Sequence, residues 1–334
     1  GRGAFYICNW LKNATISDSV TSMGYEAFYE CTSLEKVTLS KNLKSIEKKT
    51  FEGCKSLKSI TIPGTLTTLS DAAFRNCEKM TYAYIPETVT SIADNAFENC
   101  YFLVINAPKG RYAIDYANEH GIKYVEIEYT DENGSFEGKI DNDVIDKIKG
   151  DQELPIISDK VSAIFDIGAT IEISHRHGNK KITFGYQVVN KVDNEEQQDT
   201  VDSVLENGGK LVDFSLVDAD GNMIAFGASE NSGTVTITVP YTAPVSANKV
   251  TVYYIAPDGS RTDMNGVYNP STKTITFTTT HFSLFSIEEV LDDSQLTKPA
   301  VTTTIVQTTT SAAAKPTAVT TSATTTKLTT VTTS

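Results

Sequence analysis

Histidine, tryptophan and long apolar runs are what this chain has least of. Its four histidines, His120, His175, His177 and His281, are scattered over 334 residues, which leaves little for a histidine-rich metal centre or a histidine-based catalytic dyad. There is one tryptophan, Trp10. No apolar run approaches the ~18 residues that span a bilayer, and neither an initiating methionine nor a signal peptide is present. Positive charge is also short: 29 Lys+Arg stand against 42 Asp+Glu, a net charge of -13. A basic footprint is therefore missing, which argues against nucleic acid and anionic membrane surfaces as partners. The chain has no G-x-S-x-G elbow, phosphate loop or H-E-x-x-H helix.

What is present is a strict period. The five cysteines, Cys8, Cys31, Cys54, Cys77 and Cys100, recur every 23 residues in "AFYIC", "AFYEC", "TFEGC", "AFRNC" and "AFENC", with Phe5, Phe28, Phe51, Phe74 and Phe97 in step. Further apolar columns keep the same spacing: Leu11, Leu34, Leu57, Met80 and Leu103; Ile16, Leu39, Ile62 and Ile85; Val20, Leu43, Leu66 and Val89; Met23, Ile46, Leu69 and Ile92. A unit of this length cannot close a core alone and must stack on its neighbours, so the pattern predicts a solenoid. Stacking places equivalent cysteines roughly 5 Å apart with parallel side chains, and an odd number of thiols has no closed pairing. Together these favour a structural ladder of buried thiols over disulfides, a metal site or a nucleophile, the last of which would need a histidine beside it where only His120 lies in or near the repeats.

The pattern in "TFEGCKSLKSITIPGTLTTLS" resembles the BspA-type leucine-rich repeat, common on surface and secreted proteins of anaerobic gut, rumen and oral bacteria. The resemblance runs from Gly1 to about Val125. It includes "APKGRYAIDYANEHGIKYV", which is similar to the family's C-terminal cap of a short helix and a strand. At the other end Gly1 falls just after the isoleucine column, so the first repeat reads as a half unit without a cap and the chain reads as an excised segment of a longer protein. The resemblance implies an extracellular or cell-surface location and a binding or adhesion role.

Composition shifts near residues 126 and 293 divide the chain into three: 1–125, the solenoid with its cap; 126–292, an acidic module; and 293–334, a tail. The acidity belongs to the middle region, which holds 12 Lys+Arg against 28 Asp+Glu. There, "NDVIDKIKG" reads as one short helix with Asp141 or Asn142 near its N-cap. "VSAIFDIGATIEIS", "KKITFGYQVVNKV", "KLVDFSLVDADGNMIAFG", "GTVTITVPY", "KVTVYYIAPDGSRTDMNGVYN" and "KTITFTTTHFSLFSI" read as strands of period two. Asp220-Gly221 and Asp258-Gly259 signal two-residue hairpins, and an antiparallel β-sandwich is expected. The end of this region resembles a β-module that follows repeats in surface proteins of the same bacteria. The tail, rich in threonine and without aromatic residues, reads as an extended, disordered linker open to O-glycosylation, and it resembles inter-module linkers of exported polysaccharide-degrading and cellulosome-associated proteins.

Three places invite chemistry. His175 and His177, two apart on an expected strand, would share a face, but zinc needs further ligands. Asp218, Asp220 and Asn222 have the alternate spacing of a calcium loop, yet the twelfth position is Ser229 rather than glutamate, and a hairpin turn explains the stretch. His281 reads as packing or a hydrogen bond. No catalytic residue, metal site or cofactor is assigned. Ligand recognition is expected instead on the strand that follows the leucine column. There Asn13 and Thr15, Lys36 and Thr38, Ser59 and Thr61, and Tyr82 and Tyr84 alternate outward, with Trp10 just before the first strand. Lys36, Thr38, Ser59, Thr61, Tyr82, Tyr84 and Trp10 are the candidate contacts to a host or microbial protein or a glycan, because tyrosine and tryptophan combine a large apolar body with a polar tip. The alternative is an accessory, targeting or spacer region of a larger secreted or cellulosome-associated enzyme whose catalytic module lies outside the segment.

Overall fold

The structure, a computed structural model, describes residues 1–130, 135–140, 144, 153–158, 161–177, 181–224, 233–243 and 249–290. All of them fall in one compact unit, Gly1–Asp292. The expected Thr-rich linker lies outside the described residues, as does the expected helix over "NDVIDKIKG" apart from Val144, which is helical and buried.

Residues up to about 108 form the solenoid. Each turn gives one three-residue strand, at Asn13–Thr15, Lys36–Thr38, Ser59–Thr61 and Tyr82–Tyr84, and these pair in parallel at an offset of one repeat. A second, narrower parallel sheet forms from Ser45–Ile46, Thr68–Leu69 and Ser91–Ile92. Between the two lies the core, filled by the leucine, isoleucine, phenylalanine and cysteine columns.

The turn carrying the cysteine explains the sequence signature. Phe5, Phe28, Phe51, Phe74 and Phe97 stack along the axis, with successive ring centroids 4.8, 5.3, 5.3 and 5.2 Å apart and near-parallel planes. Each later cysteine donates its thiol hydrogen to the phenylalanine carbonyl of the repeat before: Cys31 to Phe5 at 2.9 Å, Cys54 to Phe28 at 3.1 Å, Cys77 to Phe51 at 3.3 Å and Cys100 to Phe74 at 3.2 Å. All five cysteines are free, and all but the half-buried Cys8 are buried. The residue before each cysteine has left-handed backbone, with φ of 55° at Ile7, 50° at Glu30, 75° at Gly53, and 61° at Asn76 and Asn99. Its N–H points to the next turn, as in Gly53 to the Arg75 carbonyl at 2.8 Å. Glycine and asparagine meet that requirement at three turns, whereas Ile7 and Glu30 meet it under strain.

The helix Tyr112–Glu119 ends the stack. Tyr116 tilts 59° against Phe97, with centroids 6.3 Å apart, so no further ring can add in register. Burial holds its phenol up at about 12. The cap therefore has the helix and strand that the family resemblance implied. The strand, Lys123–Tyr129, pairs in parallel with Val104–Pro108 on one side and antiparallel with Phe136–Ile140 on the other. It closes the solenoid and opens the next module at once. The expected division at 125/126 lies within this strand.

From there the sheet continues antiparallel through Ile182–Val189, Lys210–Asp218, Leu284–Val290, Lys249–Ile255 and Arg261–Asp263, making twelve strands among the described residues. A five-stranded sheet, ordered Leu154–Ile157, Ser162–Phe165, Val235–Pro240, Thr274–Thr279 and Val267–Asn269, packs against it. Phe136, Phe165, Phe184, Phe214, Phe277 and Phe285 fill the space between. The β-sandwich is thus present.

Two local expectations are corrected and one element is added. "IGATIEISHRH" is a helix, Ile167–His177, not a strand: the Asp166 carboxylate accepts from the Ala169 N–H at 2.8 Å, and Ala169, Thr170 and Ile173 are buried at helical spacing. A helix the strand reading passed over, Glu195–Glu206, is capped by Asn194 and buries Gln197, Val201 and Val204. The hairpins at Asp220-Gly221 and Asp258-Gly259 have three-residue loops, not two. Asp218 pairs with Asn222, and Ala256 with Ser260, while Gly221 (φ 82°) and Gly259 (φ 76°) take the left-handed position.

Two outcomes follow from the cysteine turn. Glu30→Gly should stabilise the fold by about 0.5–1 kcal/mol by relieving the left-handed strain, read as a higher urea midpoint. Gly53→Ala should lower it, because the added methyl would meet Glu30 Cγ at 2.9 Å on a backbone that disfavours it. In thiol titration of the native protein Cys8 should label first. Cys31, Cys54 and Cys77, whose thiols burial pushes up, should label together with Cys100 only on denaturation. Rapid labelling of Cys54 in the native state would contradict the ladder.

Candidate functional site

The outward strand face is built by alternation. Val37, Ile60 and Ala83 turn into the core, which forces their neighbours outward. Lys36, Thr38, Ser59, Thr61 and Tyr82 come together and line one groove of about 520 Å³. Its remaining lining comes from Val37, Leu39, Lys41, Ile62, Pro63 and Gly64. Lys41, Pro63 and Gly64 were not singled out from the sequence. They belong to the loop just after the inward Leu39 and Ile62, which the strand alternation does not reach. The repeat itself could have pointed to them, because Lys41 and Gly64 occupy one 23-residue column.

Two candidates fall elsewhere. Trp10 is 96% exposed and does not line the groove. Tyr84 points away from the solenoid core as expected, but it is only 2% exposed, and its hydroxyl lies 3.2 Å from that of Tyr129 in the strand that starts the sandwich. The expectation that Tyr84 presents its ring to a ligand is corrected: the following module covers it. Asn13 and Thr15 are exposed but lie outside the groove lining.

Tyr82 sits at the sandwich end of the groove, half-buried. Burial pushes its phenol above the ordinary range; a hydrogen bond with Ser59 works against this, and the charge of Glu153 adds to it. At ordinary pH the hydroxyl is therefore neutral and able both to donate and to accept. Lys36 and Lys41 are exposed. Lysine, threonine and serine hydroxyls, and a phenol on a shallow face are equipped to hold polar groups and to stack a ring. No pairing of base and nucleophile is visible among these groups.

The other candidates are structural where they are described. His120 stacks on Tyr116 with centroids 4.1 Å apart. His281 packs edge-on against Tyr254 at 4.4 Å, and burial lowers its pKa. His175 and His177 lie in the helix Ile167–His177 and not on the strand expected for them. The Asp218 carboxylate accepts from the N–H groups of Asp220 and Asn222, each at 2.9 Å, as in a hairpin turn. Among the described residues no group of three or more His, Cys, Asp or Glu is placed to hold a metal ion, and no helix is long and apolar enough to cross a membrane.

Residues 1–117 match the family described as BspA type leucine rich repeat region, in six copies. No curated protein matches the chain. Among solved structures, a leucine rich cell surface protein from Faecalibacterium prausnitzii A2-165 is 37% identical over 34% of this chain and 30% of that one, with a TM-score of 0.32. A leucine rich repeat protein of T. pallidum is 30% identical over 31% of this chain and 50% of that one, at 0.31. A leucine-rich repeat protein from Bacteroides ovatus ATCC 8483 is 22% identical over 32% and 42%, at 0.22. The matched region thus spans half or less of each of these proteins.

Proposed function

We propose that this chain, whose residues 1–117 match the BspA type leucine rich repeat region, is a non-enzymatic binding or adhesion segment that works outside the cell or at its surface and recognises a glycan or a protein through the outward strand face. The observation that carries this reading is the groove of about 520 Å³ in which five of the outward strand residues converge. The solenoid suits the task because its outward residues vary without disturbing the columns that hold the core. Tyr82 supplies the ring, and Lys36, Lys41, Thr38, Ser59 and Thr61 supply the polar contacts.

The test is a steric block. Thr61 is exposed in the groove and Thr15 is exposed outside it, at the same position of another turn. On glycan arrays and immobilised matrix proteins, Thr61→Trp should abolish the binding seen with wild type, whereas Thr15→Trp should leave it intact. Tyr82→Ala should weaken it by about tenfold. Unchanged binding by Thr61→Trp, with an unchanged melting temperature, would move the site away from this face.

A further inference from the structure

The lining of the groove is more basic than the solenoid that carries it. Two of its lining residues are lysines and none is a carboxylate, whereas residues 1–125 together are close to neutral; Glu153, whose charge reaches Tyr82, is the acid at the far end. Three lysines elsewhere on the solenoid are matched across turns: Lys48 Nζ lies 2.9 Å from Asp71, Lys55 Nζ 2.9 Å from Glu78, and Lys58 Nζ 3.6 Å from Glu35. Lys36 and Lys41 have no such partner among the described residues. The nearby Asp18 carboxylate accepts the backbone N–H of Lys41 at 2.9 Å and does not line the groove.

The two lysines belong to one turn, and Tyr82 stands two turns further on, roughly 10 Å away at one strand spacing per turn. Thr38, Ser59 and Thr61 lie on the face between. We infer that the groove takes an acidic glycan, a chain segment bearing uronic acid carboxylates, with a carboxylate at Lys36 and Lys41 and a sugar ring against Tyr82. This rests on the reading of the groove as the binding site and names the ligand class. Hydroxyls and lysines without an open apolar socket match a polyhydroxylated acid, since Ile62 is wholly core and Val37 and Leu39 nearly so. A peptide fits less well. The strands Lys36–Thr38 and Ser59–Thr61 are each paired on both sides, so neither offers an edge for strand addition.

The experiment measures binding of the full chain to polygalacturonate, alginate and hyaluronate, and to the same polymers after carboxyl reduction. At least one acidic polymer should bind. Its reduced form should bind at least about tenfold more weakly, as should Lys36→Gln/Lys41→Gln with the acidic form, while Lys36→Arg/Lys41→Arg retains binding. Sodium chloride at about 1 M, where the screening length falls to about 3 Å, should remove the difference between acidic and reduced forms. Failure of all three polymers to bind overturns the inference, as does equal binding of acidic and reduced forms. Polyglutamate binding as tightly, with the same dependence on Lys36 and Lys41, overturns the glycan in favour of an acidic peptide. If neutral glycans bind and Thr61→Trp abolishes that binding, the groove remains the site and only its acidic ligand falls. If Thr61→Trp leaves all binding unchanged, both readings fall.

Discussion

Each buried thiol of the solenoid donates to a phenylalanine carbonyl one turn away, and that phenylalanine stacks on its counterpart in the thiol's own turn. The pair of contacts ties the 23-residue period to a single translation along the axis. Once the translation is set, every column meets its own kind, the short strands fall into register, and the outward residues of successive turns line up. The groove is a by-product of that alignment, since Lys36, Ser59 and Tyr82 share one column. A cysteine is well suited to the position: it is small, its sulfur is soft enough to pack, and its weak donor finds a fixed acceptor.

The solenoid was legible in the sequence for the same reason. Phenylalanine, cysteine and leucine recur at one spacing, so register, core and outward face could be worked out before any coordinate was known. Glu30 and Ile7 show where pattern reading thins, because nothing in their chemistry announces a left-handed backbone. In that turn Gly53, Asn76 and Asn99 carry the signal, and the other two residues inherit the geometry from their neighbours.

Tyr84 shows a different limit. Alternation correctly turned it outward, but whether an outward residue meets solvent depends on what lies beyond the last turn. Lys123–Tyr129 continues the sheet, so the sandwich docks edge to edge on the solenoid and covers that position. The buried Asn106 shares in the joint, accepting the Ile157 N–H at 2.9 Å. The stretch "ATIEIS" alternates as a strand does, but Asp166 caps a helix at Ile167–His177 through the Ala169 N–H, and Thr234, 68 residues on, holds that carboxylate in place at 2.7 Å. Loop residues such as Lys41 entered the groove through the turn, beyond the reach of strand periodicity.

The C-terminal closure of the solenoid is independent of its length. Of the stacked rings Tyr116 meets the last, Phe97, and within the solenoid sheet Val104–Pro108 pairs with Tyr82–Tyr84, its other sheet partner being the cap strand Lys123–Tyr129. A gene could therefore gain or lose whole 23-codon units by unequal crossing over without disturbing the joint to the sandwich. Each such event would lengthen or shorten the outward face by one strand spacing and bring a fresh set of outward residues into play. Variation in what the protein recognises could then come from recombination between repeats as well as from point substitution.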